Sequence, residues 1–134
     1  MELRVHPIKC KVFTVGQKLE SYVVQHIKHI PDASIIVVTS KIIALSQKRV
    51  VDSSKERDQW IKKESDCAIK TKWCYLTLKD GQWCPNAGID ESNAEHGGLI
   101  LWPKDSFAVA RQLRKKLMGV YRLKKLGILI TASR

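Results

Sequence analysis

Residues 34–40 read SIIVVTS, and this stretch decides the class of the fold. Ile35, Ile36, Val37 and Val38 run consecutively with no polar residue between them, the pattern of a strand covered on both faces. Pro31 and Asp32 supply the turn that leads into it. The stretch is expected to be the central strand.

Working outward, Thr39, Ser40 and Lys41 end that strand and lead into IIALSQ, a short helix, after which Arg49, Val50 and Val51 return as a strand. Upstream, Leu19, Tyr22, Val23 and Ile27 recur at three-and-four spacing and predict a helix over about 17–29. His26 stands beside that apolar face as a packed or half-exposed histidine. Leu3 and Val5 alternate with polar neighbours and suggest a first strand ending at Pro7. Downstream, Ser53 and Glu56 form a capping box for a helix over about 54–64. WCYLTLKDGQWCP, residues 73–85, places Asp80 and Gly81 between two strand-like runs, a strong hairpin signal because both turn residues need positive φ. LILW, residues 99–102, reads as a strand broken by Pro103. Asp105 or Ser106 then caps a helix running to about Met118, and LGILITASR holds a final strand over about 126–131. Alternating strands and helices predict an α/β, or mixed α+β, fold: a single domain over 1–134 with a mixed β-sheet flanked by helices.

The 134 residues suit one core and are too few for two. No run approaches the roughly 20 apolar residues of a membrane helix, and MELRVHPIKCKVF lacks the apolar core of a secretory signal, so a cytoplasmic location is expected. Cys10, Cys67, Cys74 and Cys84 show neither CxxC pairing nor zinc-finger offsets to histidine, and are expected as buried or partly buried thiols.

The net charge of +11 favours anionic partners: nucleotides, nucleic acids or acidic small molecules. It concentrates in RQLRKKLMGVYRLKK, residues 111–125. On a helix Arg111, Arg114, Lys115 and Lys116 project away from Phe107, Ala110, Leu113 and Leu117, as a solvated face or as a polyanion site. Against this background NAGIDESNAEHGG, residues 86–98, contains Asp90, Glu91 and Glu95 with no Lys or Arg. Asp90, Ser92 and Asn93 offer hard oxygen atoms suited to magnesium or manganese, or to an Asx turn. Neither GxxxxGK[ST] nor GxGxxG is present. Two strand ends carry hydroxyls where ligands of α/β sheets gather: Thr39 and Ser40 with Lys41, and Thr131 with Ser133.

VVTSKIIALSQKRVV, NAGIDESNA, LILWPKD followed by a helix, and LGILITASR together resemble the coenzyme F420-0:γ-glutamyl ligase family in order and spacing over essentially the whole chain. Family members are longer, so the chain is expected to correspond to their N-terminal part as a truncated homologue. The resemblance implies a ligase that uses GTP and Mg2+ or Mn2+ to join L-glutamate to an anionic small molecule, coenzyme F420-0, through an acyl phosphate, and a homodimer. It makes Asp90 and Ser133 metal ligands. Ile8, Lys9, Cys10, Lys11, Thr39, Ser40, Lys41 and Asn93 become nucleotide contacts. Where the family carries the aspartate of its ITD motif this chain has Ala132, where it carries a nucleotide-holding lysine the chain has Leu45, and the early loop reads IKCKV without glycine. These departures imply impaired or absent catalysis. The alternative function is a small basic nucleic-acid-binding protein acting through the helix at 107–118, without catalysis.

Overall fold

Residues 2–52, 56–91 and 98–132 are described by a computed structural model. Helix α1 (Leu19–His26) precedes strand β1 (Ser34–Thr39), which runs directly into α2 (Ser40–Ser46). Strand β2 (Val50–Val51) and helix α3 (Arg57–Lys63) lead to β3 (Cys67–Lys70), β4 (Tyr75–Lys79) and β5 (Gln82–Pro85). A 3-10 turn (Asn86–Gly88), β6 (Leu99–Ile100), α4 (Ser106–Tyr121) and β7 (Leu126–Thr131) complete the order. The mixed α/β class expected from the sequence holds. Its strands are distributed over a parallel pair β1–β7, an antiparallel pair β2–β6 and an antiparallel sheet β3–β4–β5.

Periodicity explains the main core. Leu19, Tyr22 and Val23 of α1 and Leu113 and Leu117 of α4 turn their apolar stripes onto Val38 and Leu126 of the parallel pair, with Phe13, Ile30 and Ile43 closing the cluster. Phe13 meets Tyr22 edge-on at 4.9 Å between ring centroids. Lys116 pairs with Glu20 at 2.6 Å and so ties α4 to α1. The outer face of the parallel pair is bare: Ile35 and Val37 are 64% and 59% exposed. The expectation of a central strand covered on both faces is therefore corrected, because among the described residues β1 pairs only with β7 and helices pack on one side.

The hairpin forms as predicted, with Lys79 opposite Gln82 and both Asp80 and Gly81 at positive φ. Other expectations shift. Residues 2–10 form no regular element, leaving Leu3 and Val5 exposed, because no strand among the described residues pairs with them. The first helix is shorter than expected because Ile27 is already extended, at φ −114°. Ser53 lies outside the described residues, and Glu56 precedes α3 without a side-chain cap bond. Asp105 stands at the start of α4, yet in left-handed conformation and without a side-chain cap bond. The helix continues beyond Met118 to Tyr121, and Phe107 is 83% exposed instead of packing with Leu113. All four cysteines are free thiols, Cys10 and Cys67 being exposed rather than buried. No helix among the described residues is long and apolar enough to cross a membrane.

Candidate functional site

Parallel pairing sets β1 and β7 side by side in register, Thr39 against Thr131, so both strands release their carboxyl ends at the same place. That is where an α/β sheet leaves polar groups unblocked by its core. A cleft of about 880 Å³ opens there, lined by Thr39, Ser40, Lys41, Asp90, Thr131 and Ala132 among others.

Asp90 reaches the cleft through its backbone pairing. It exchanges two hydrogen bonds with Ile100, each 2.9 Å, which adds its segment to the edge of the β2–β6 pair. Its carboxylate then meets the Lys41 ammonium at 2.7 Å, with both side chains about one-third exposed or less. Beside it Glu91 pairs with Arg57 at the start of α3. Two acid–base pairs thus face one cavity. A polyanion entering it would compete for Lys41 and Arg57, and a cation for Asp90 and Glu91.

The far wall depends on one glycine. Gly88 has φ +69°, and a Cβ added there would lie 2.3 Å from Cε3 of Trp102. The indole occupies the space that any other residue at 88 would fill. Arg49 fixes the same wall by donating from Nε to the Trp102 carbonyl at 3.1 Å. Behind it the Glu64 carboxylate accepts from Arg49 and from Lys79 Nζ. Burial pushes the Glu64 carboxyl up, but hydrogen bonds from Arg49 and Lys79 outweigh it and hold the group below the usual carboxylate range.

The structure therefore brings Thr39, Ser40, Lys41 and Asp90 together. Ile8, Lys9, Cys10 and Lys11 are not in that lining. Their loop is anchored on α1, where Tyr22 Oη donates to the Lys11 carbonyl at 2.6 Å and the Lys11 N–H donates to His26 Nε2 at 3.1 Å. His26 is thus a half-buried packing histidine, as expected. Asn93 and Ser133 lie outside the described residues. No cluster of three or more His, Cys, Asp or Glu side chains poised for a metal occurs among the described residues. On α4, Arg114 Nε donates to the Leu126 carbonyl at 2.7 Å and Lys116 is paired with Glu20, so half of the expected basic face serves packing. Sequence reasoning missed Arg57 and Trp102. Neither belongs to a spacing pattern, and each reaches the cleft only through tertiary contact.

Fold and site define a mixed α/β domain with a charged cleft at the carboxyl ends of a parallel strand pair. Comparison with known proteins gives this class a family. The model of the F420-0:Gamma-glutamyl ligase family matches residues 58–134, more than half of the chain. The chain belongs to that family. It is 25% identical over 151 residues to the coenzyme F420:L-glutamate ligase of Archaeoglobus fulgidus, an alignment covering 98% of this chain and 60% of the relative. The proteins of the same name from Methanopyrus kandleri and Methanosarcina mazei are 41% and 38% identical over 68 and 71 residues. Those alignments cover 51% and 53% of this chain, and 27% and 28% of the relatives.

Proposed function

We propose that this chain carries the phosphate- and cation-handling part of a ligase that adds L-glutamate to coenzyme F420-0 through an amide bond, with GTP as phosphoryl donor and Mg2+ or Mn2+ as cofactor. The meeting of Lys41 with Asp90 in one cleft, at the shared carboxyl ends of β1 and β7, carries this reading. The hydroxyls of Thr39 and Ser40 would donate to phosphate oxygens, and Lys41 would pair with them. Ile8, Lys9, Cys10, Lys11 and Asn93 complete the proposed nucleotide set, and Ser133 the proposed metal set.

The described donor set fits a cation that arrives with phosphates. Magnesium commonly takes one or two protein carboxylates and fills its octahedron with phosphate oxygens and water, and Asp90 supplies one. Bound there, the cation would offset charge on the transferring phosphoryl group. In the proposed reaction the acceptor carboxylate takes the γ-phosphoryl group and GDP leaves. The glutamate amine then attacks the acyl carbon, forming the amide and expelling phosphate. Ala132 lines the cleft where the resemblance implies a carboxylate, so impaired catalysis is part of the proposal. A cytoplasmic homodimer belongs to it as well. The nucleic-acid alternative ranks behind, since no observation specific to it accompanies the basic face of α4.

Calorimetry with GTP and Mn2+ tests the reading. Saturable heat is expected for the natural sequence, its loss in Asp90→Asn, and about tenfold tighter Mn2+ binding in Ala132→Asp, which raises the site's ligand charge. Absence of heat in the natural sequence at millimolar ligand overturns the proposal.

A further inference from the structure

Behind the wall formed by residues 101–104 lies a second recess of about 280 Å³, with Leu101 shared between it and the cleft. Lys48, Arg49, Lys63 and Lys104 line it together with Trp60, and Glu64 is the acid of its described lining. That acid is already satisfied by Arg49 and by Lys79 from outside the recess. Lys48, Lys63 and Lys104 form no ion pair among the described residues.

Each lysine is held by its own device. Lys48 has φ +56°, and its stem lies so close to Gly16 that an added Cβ there would be 2.9 Å from Lys48 Cε. The Lys63 ammonium sits 4.5 Å from the centroid of the Trp60 ring. Lys104 is clamped through its backbone by Gln47, which accepts from its N–H at 2.9 Å and donates to its carbonyl at 2.7 Å. Lys48, Lys63 and Lys104 line one small recess, and their like charges there favour an anion between them.

The geometry points to a binding site for a phosphate dianion, free or as a small phosphate monoester. The volume lies just under the roughly 300–1,000 Å³ of organic-ligand pockets, which suits one phosphoryl group rather than a whole nucleotide. Lysine is fitted to this role as a point charge without a geometric fork. The site is separate from the cleft and does not depend on the ligase reading.

Trp60 provides the reporter, because an anion that draws Lys63 off the indole alters its emission. The full chain is titrated with inorganic phosphate, and in a second arm with glycerol 3-phosphate, while ionic strength is held constant with sodium chloride. A saturable change in emission is expected from at least one of the two; which of them binds tighter distinguishes a free-phosphate site from a monoester site. The change should vanish in Trp60→Phe and in Lys63→Gln, which lacks the ammonium that reports it, shift by about fivefold or more to higher concentration in Lys104→Gln, and persist in Lys41→Gln, a residue of the cleft. Lys63 and Lys104 are exposed, so their glutamine variants leave the core intact, and circular dichroism checks this. The inference is overturned if neither phosphate gives a saturable change, if chloride alone reproduces it, if Lys104→Gln titrates like the natural sequence, or if the signal survives in Trp60→Phe.

Discussion

Asn86, Ala87 and Gly88 stand consecutively at φ +52°, +54° and +69°. For a residue with a Cβ this region costs about 1–2 kcal/mol, and Ala87 has no side-chain polar group to offset it. Compensation comes from neighbours. Asn86 Oδ1 accepts from the Tyr75 N–H at 3.0 Å, and the buried Thr77 hydroxyl accepts from the Ala87 N–H at 2.8 Å while donating to the Cys84 carbonyl at 2.6 Å. Gly88 is the position without slack, since it is left-handed and in contact with the Trp102 ring. Gly88→Ala is expected to destabilise the protein by about 2–4 kcal/mol, combining backbone strain with overpacking. Urea denaturation checks this, and an unchanged midpoint would refute the account. Asn and Gly are residue types that tolerate this conformation, so the sequence hints at the turn. It gives no hint that Trp102 fills the space.

At the scale of elements, legibility followed how local the cause was. The Asp80-Gly81 hairpin and β7 emerged where the residues predicted because turn chemistry and a short apolar run act within a few positions. Strand β3 was not legible: CAIK is four residues long, and its pairing with β4 supplies what its own pattern lacks. The bare face of β1 was equally hidden, since an apolar run reads the same whether one or both faces are covered. Meeting of Lys41 with Asp90 was suggested only by family resemblance, for no spacing rule links the end of β1 to the edge of β6. The end of α4 shows another tertiary choice. Arg122 is left-handed at φ +53°, and the Leu123 N–H returns to the Met118 carbonyl at 3.0 Å, the bonding of a Schellman cap normally built on glycine. Arg122→Gly is therefore expected to raise stability by about 0.5–1 kcal/mol, read as a higher thermal midpoint.

For the whole molecule, Glu64 is a junction. It follows α3 and binds Arg49 ahead of β2 and Lys79 at the end of β4, with its side chain only 10% exposed. Its folded-state pKa lies below the unfolded value, so the unfolded chain takes up the proton first on acidification. The stabilisation is complete above the ordinary carboxylate range and is lost as pH falls through the lower folded value. Urea midpoints measured from about pH 6 to about pH 3 should fall more steeply for the natural sequence than for Glu64→Gln. Equal slopes would remove Glu64 from this role.

The parallel pairing of β1 with β7 also has a kinetic consequence. Strands β1 (Ser34–Thr39) and β7 (Leu126–Thr131) are far apart along the chain, and the contact they make is closed only after a long loop has lost its freedom. Pairing at such sequence separation slows folding, whereas the β4–β5 hairpin needs only its two-residue turn. Thr39 and Thr131 are therefore expected to meet later than Lys79 and Gln82, and the cleft they border to form with them.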